Sequence, residues 1–172
     1  GLGQARKDGL AVYIRSAGEG IVRLLAMMRT VGEQNQADVN RLVKIFLDSK
    51  DNLEPVPAKE LWQRAKQGLV TVLDVRPPEE YAQGHIRGAI NVPMTELKKM
   101  LHQLPAHQEV VAYCRGPYCV LAYEAVKILR QKGIKARRMV DGYPEWSLRV
   151  LPVAMACGAA CFRIFNLPHY RA

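Results

Sequence analysis

The stretch from Val110 to Leu121 constrains this chain more than any other. An apolar run, Val110-Val111-Ala112-Tyr113, stops at Cys114, and a helical pattern begins after Arg115-Gly116-Pro117-Tyr118-Cys119. An apolar segment of strand length, a loop holding Gly and Pro, and a helical period make a strand–loop–helix unit with the thiol at the loop's first position. Loop amides, the N-terminus of the following helix and Arg115 create a field that favours thiolate, the form of cysteine that does chemistry. The same position also suits a buried structural cysteine, since free cysteines are among the most buried residues.

Leu53-Glu54-Pro55-Val56-Pro57 marks a boundary, because two prolines in three residues cannot continue a helix. Beyond it, Ala58 to Gly68 reads as a helix with Leu61, Trp62 and Ala65 inward, and Leu69 to Leu73 as a strand ending at Asp74. A polar loop at Pro77-Pro78 and turns at Gly84 and Gly88 lead to a strand over Ala89 to Val92, then to a helix from an N-cap at Thr95 to Leu104. After the cysteine unit, Leu121, Ala125, Ile128 and Leu129 share a helix face that stops at Gly133, and Ala136 to Val140 forms another strand before the turn Asp141-Gly142-Tyr143. Strands alternating with helices predict an α/β domain with a mainly parallel sheet, whose ligands gather at the carboxyl ends of the strands. Asp74 and Cys114 both sit at such ends. Asp74 is expected to accept backbone N–H bonds, His85 to brace a loop through both ring nitrogens, and Arg76 to pair with Glu80 four residues on.

The N-terminal stretch is different in kind. Asp8-Gly9 between two short runs signals a hairpin. Ile21, Leu24, Leu25 and Met28, then Val39, Leu42, Val43 and Phe46, recur at helical steps, predicting a long helix with a break near Gly32. Its stripe must bury on its own domain or on a second copy, and a homodimer through residues 21–49 is the expected arrangement.

A chain of 172 residues, 49% hydrophobic, holds one cored domain and a helical extension. Four cysteines without a dense framework point to reduced thiols and a cytoplasmic setting. No signal-peptide pattern opens the chain, and its longest apolar stretch, Val150 to Phe162, holds Pro152 and is too short for a bilayer, so no membrane partner is expected. Residues 58–146 carry 14 basic and 9 acidic groups, most of the formal +9. That excess suits steering of small anions as well as a polyanion. Cys157 and Cys161 supply half the ligands of a structural zinc site, so they read as packing residues and no metal is expected.

Several motifs in order resemble the rhodaneses: Asp74-Val75-Arg76-Pro77 with Glu80-Tyr81, Gly84-His85-Ile86 with Gly88-Ala89, Asn91-Val92-Pro93, Tyr113-Cys114-Arg115-Gly116, and Asp141-Gly142-Tyr143 with Trp146. The resemblance implies a sulfurtransferase without metal or organic cofactor. In it Cys114 accepts a sulfane sulfur from a small anionic donor, thiosulfate or a persulfide, and passes it to a thiol or cyanide. It implies that Arg115, Gly116, Pro117, Tyr118, Cys119 and Val120 cradle the sulfur, while Asp74, Arg76 and His85 support the site. Two departures matter. Many rhodaneses carry Arg where Cys119 stands, and the phosphatases and arsenate reductases of this fold need an Arg at the place of Val120, which argues against a phosphatase. Cys119 is either a resolving thiol, able to bridge to Cys114 if the loop curls enough, or a small apolar filler.

Gln4 to Arg15 followed by the striped helix resembles the wing and dimerisation helix of an ArsR-type winged-helix repressor without its recognition helix. DNA binding would then belong to a longer parent and be weak for this chain. The expected division is 1–54 winged-helix remnant, 55–153 rhodanese-like domain, 154–172 unassigned tail. Two functions follow: a sulfurtransferase, or a sulfur- or redox-sensing domain of a transcription regulator.

Overall fold

A computed structural model describes residues 3–16, 18–35, 41, 45, 55–105 and 107–155. Strands β1 (Gly3–Asp8) and β2 (Ala11–Ser16) pair antiparallel from Gly3 with Ser16 to Asp8 with Ala11. The turn is therefore Gly9-Leu10, one residue later than the Asp8-Gly9 expected, and Gly9 takes φ +58°. A left-handed first turn residue is what glycine supplies in such hairpins.

Helix α1 (Glu19–Asn35) runs through Gly32 without the expected break. Its half-buried residues are Ile21, Val22, Ala26, Arg29, Gly32 and Glu33, which recur at steps of three and four along one side. Of the stripe singled out above, Ile21 is half-buried while Leu24, Leu25 and Met28 remain exposed, as does Val31, so most of that stripe is not the face laid on the α/β unit. The remainder of the expected helix, apart from Arg41 and Ile45, lies outside the described residues.

The α/β unit continues with α2 (Ala58–Lys66), β3 (Val70–Asp74), α3 (Pro78–Gln83), β4 (His85–Ile86), β5 (Ile90–Asn91) and α4 (Leu97–Met100). Then come β6 (Glu109–Tyr113), α5 (Val120–Gln131), β7 (Ala136–Arg138), α6 (Tyr143–Leu148) and β8 (Val153–Ala154). The central sheet has the order β5-β3-β6-β7 and is parallel throughout. Every residue of β3 and β6 is buried, as strands covered on both faces require. Alternation sends Leu73, Val110 and Ala112 into one core with Leu97, Ala125 and Leu129, and Val72, Val111 and Tyr113 into the other with Leu61, Ile86 and Trp146.

Three details differ from the expected elements. Thr95 does not cap a helix: α4 begins at Leu97, with Glu96 before it, and after one turn tightens into a 3-10 turn over Leu101–Gln103. Ala154, assigned above to the tail, pairs in β8 with His85. The tail beyond Met155, with Cys157 and Cys161, lies outside the described residues. Gly133 does end α5, at φ +76°, with Gly133 N–H bonding to the Arg130 carbonyl and Ile134 N–H to that of Leu129, the paired closure of a Schellman motif. Among the described residues no helix is long and apolar enough to cross a membrane.

Candidate active site

The parallel sheet brings the loops after β3, β6 and β7 to one edge, and the cysteine loop lies between the other two. Cys114 follows β6 and is 1% exposed, packed in the cluster with Val75 and Ala122. Its carbonyl accepts the Tyr143 amide at 2.9 Å. Arg115 to Tyr118 then curl back, with Cys119 N–H bonded to the Gly116 carbonyl at 3.1 Å, and Cys119 stands at the N-cap of α5 with Val120 as the first helical residue. The curl brings the two Cα atoms to 6.2 Å and joins Cys114 and Cys119 as a disulfide. That separation is inside the span of about 4.4 to 6.8 Å that disulfides bridge. Cys114 thus stands at the first position of the loop, as expected, and is also buried.

Gly142 closes the site from the β7–α6 turn. A Cβ there would overlap the amide nitrogen of Gly116 and the carbonyl carbon of Arg115, so only glycine lets the two segments touch. The sequence marked Gly142 only as a turn residue, and its contact with the loop was not foreseen. Glu145 accepts the Gly142 amide through Oε2 at 2.9 Å and the Arg29 guanidinium of α1 through Oε1 at 2.7 Å. Tyr118 Oη donates to Glu33 Oε1, also on α1. Partial burial, followed by the hydrogen bond to the Glu33 carboxylate, pushes the Tyr118 phenol up to about 12. Helix α1 therefore holds both the cysteine loop and the turn that presses on it, through partners 85 and 116 residues apart. Those separations are invisible to spacing rules.

Beneath the loop lies a buried ionic cluster. Asp74 Oδ1 accepts the Arg76 backbone amide at 2.9 Å and Nε at 3.0 Å, while Oδ2 accepts Nη2 at 2.7 Å and the Tyr113 hydroxyl at 2.5 Å. Arg76 also donates to the Gly84 carbonyl at 2.8 Å and lies 4.4 Å over the Tyr143 ring. Burial works against the Arg76 charge, but the hydrogen bond and charge of Asp74 outweigh it and the pKa lies above its ordinary value. Burial, then the adjacent Asp74 carboxylate, raises the Tyr113 phenol. Asp74 thus accepts a backbone N–H as expected. The expected Arg76–Glu80 pair does not form: Arg76 turns to Asp74, and Glu80 binds Arg115, Nε to Oε1 at 2.9 Å and to Oε2 at 3.1 Å, and Nη2 to Oε1 at 2.5 Å. Two buried residues two apart at the end of β3 meet more readily than a buried guanidinium reaches a half-buried carboxylate in α3. His85 stacks on Tyr81 at 3.6 Å and bonds through Nδ1 to the Tyr81 carbonyl at 2.8 Å. It braces its loop through one ring nitrogen among the described residues, not two. No three His, Cys, Asp or Glu side chains among the described residues converge as a metal site.

Residues 57–149, carrying all of this geometry, match the family described as the Rhodanese-like domain. The chain belongs to that family. It is 44% identical over 153 residues to the HTH-type transcriptional regulator Rv0324 of Mycobacterium tuberculosis, a match covering 89% of this chain and 67% of that protein. A match of that extent takes in α1 as well as the rhodanese-like domain, in keeping with the N-terminal resemblance to a winged-helix repressor. A sulfurtransferase of Allochromatium vinosum is 32% identical over 85 residues, 49% of this chain and 78% of its own. Among solved structures, a rhodanese-related protein from Thermoplasma volcanium superposes with a TM-score of 0.54 at 28% identity, covering 60% of this chain and 99% of that one. The α/β class and the rhodanese-like parallel sheet with flanking helices are thereby established.

Proposed function

We propose that the rhodanese-like domain is a sulfurtransferase that carries a sulfane sulfur on Cys114. The observation behind this reading is the thiol's place at the carboxyl end of β6, beneath a curled loop and the N-terminus of α5. A thiol opens the Cys114–Cys119 bridge, two RSH giving RSSR and two cysteine thiols. The Cys114 thiolate attacks the outer sulfur of thiosulfate or of a persulfide, the donor's S–S bond breaks, and sulfite or a thiolate leaves with the electron pair. Loop amides stabilise the persulfide anion. An acceptor thiolate or cyanide then attacks the outer sulfur, forming a new persulfide or thiocyanate and restoring the Cys114 thiolate. Intact mass of the reduced protein after exposure to donor is expected to show one added, cyanide-labile sulfur that is absent from Cys114→Ser. No addition to the wild type, or the same addition to Cys114→Ser, overturns the reading.

A second reading is favoured by the Cys114–Cys119 link and by the ties from Tyr118 and Glu145 to α1. In it the domain senses sulfur for a regulator that pairs through the exposed stripe Leu24, Leu25, Met28 and Val31 and works in the cytoplasm, its DNA contacts made by the longer parent. Cys119 thiolate attacks Cys114 Sγ of the persulfide, expels hydrosulfide and closes the bridge. The curl tightens, and Tyr118 transmits the change to Glu33. Sedimentation equilibrium of the whole chain is expected to show a dimer whose dissociation constant differs between the reduced and bridged forms. A monomer at all concentrations, or one constant for both forms, refutes this coupling.

A further inference from the structure

We propose that Glu80 sets the donor class of the Cys114 site, admitting uncharged hydropersulfides and disfavouring thiosulfate; the proposal rests on the sulfurtransferase reading above. Thiosulfate transfers its outer sulfur only by releasing sulfite, a dianion whose charge lies on three oxygens. Such an oxyanion is best held by a guanidinium fork. The loop offers one such fork, on Arg115, because the other positions are Gly116, Pro117, Tyr118, Cys119 and Val120. That fork is already occupied by Glu80, with Nε reaching both carboxylate oxygens at 2.9 and 3.1 Å and Nη2 reaching Oε1 at 2.5 Å.

Among the described residues, the elements packed around the loop supply no substitute. Arg29 of α1 pairs with Glu145 at 2.7 Å and with Glu33 at 3.6 Å, Arg149 after α6 pairs with Asp141, and Arg76 is buried against Asp74. Tyr118 directs its hydroxyl to Glu33, which places a second carboxylate beside the loop. Glu80 is carried to Arg115 by the first turn of α3, which starts after Pro77 and whose Glu80 and Tyr81 amides both bond to the Pro77 carbonyl at 3.1 Å. A dianion approaching Cys114 must therefore displace one carboxylate from Arg115 and pass close to another.

An uncharged hydropersulfide meets neither obstacle. The Cys114 thiolate attacks the outer sulfur of RSSH, the S–S bond breaks, and RS⁻ leaves while the outer sulfur keeps its proton as Cys114–S–SH. No charge enters with the donor, and the one negative charge of the Cys114 thiolate leaves on a single sulfur, as RS⁻. Glu80 acts here as a positioning residue, through Arg115, and touches no substrate.

The experiment uses the whole chain, reduced and desalted, with thiosulfate and benzyl hydropersulfide as donors, and follows sulfur addition by intact mass against donor concentration. Wild type is expected to load efficiently from benzyl hydropersulfide and poorly from thiosulfate. In Glu80→Gln the half-saturating thiosulfate concentration is expected to fall about tenfold, the size of one charge-assisted hydrogen bond, with the limiting rate and the hydropersulfide reaction little changed. The gain should vanish in the double variant Glu80→Gln/Arg115→Gln, and a thermal melt establishes that each variant is folded. Loading from both donors with no response of thiosulfate to Glu80→Gln overturns the donor assignment alone. Loading from neither donor overturns the sulfurtransferase reading and this assignment with it.

Discussion

Asp74→Ala is expected to cost about 3 to 5 kcal/mol of folding stability, because it removes one member of a buried ion pair and leaves the other uncompensated. Asp74 is fully buried and Arg76 is 4% exposed. Without the carboxylate, Arg76 would keep the Gly84 carbonyl and the Tyr143 and Tyr113 rings but no charged partner, and the Tyr113 hydroxyl would lose its acceptor. A loss of that size is a large share of the roughly 5 to 15 kcal/mol that holds a domain together. The contrast with Arg115–Glu80 is one of solvent: that pair is half exposed on the Arg115 side, and exposed pairs contribute about 0 to 1 kcal/mol. Urea unfolding of Asp74→Ala and wild type is the measurement, and a difference below about 1 kcal/mol would show that the cluster relaxes or hydrates freely.

Gly142→Ala is expected to slow sulfur loading at Cys114 by about a hundredfold, the penalty for displacing a reacting group by roughly 1 Å. The methyl group would land on the backbone of Arg115 and Gly116, which has no rotamer by which to move aside. Either the loop lifts from the turn or the turn retreats from β6, and in both cases the backbone that follows Cys114 leaves its position. Loading followed by mass, beside a thermal melt, separates site damage from unfolding. A rate within twofold of wild type would mean that the loop tolerates the shift and that its amides are not placed by Gly142.

The strands β3 and β6 and the loop between β6 and α5 were legible because their signals are local and strong: an unbroken apolar run, then Cys, Gly and Pro, then a helical period. The stop at Gly133 was equally plain. Where competing local signals were close in strength, the boundaries slipped, as at Thr95, where a good cap residue precedes a segment too short to use it. The two-residue pairing of β4 with β8 carries no pattern of its own. Spacing offers Arg76 the Glu80 carboxylate four residues on, whereas burial selects Asp74. Helix α1 shows the limit most clearly: hydrophobicity marks Ile21, Leu24, Leu25 and Met28, the last three of which stay exposed, while the face against the rhodanese-like domain includes Arg29 and Glu33. A polar contact face leaves no trace in an apolar period.

The grip of α1 on the Tyr118 loop and on Glu145 has a consequence for how such a chain can change over generations. Four side chains from opposite ends of the sequence, Arg29 and Glu33 on one side and Tyr118 and Glu145 on the other, form one joint. A rhodanese-like domain transplanted here from another protein would seat on this helix only if it brought a hydroxyl and a carboxylate to the same two places. Exchange of either half for one without these groups breaks the joint before it touches the cysteine.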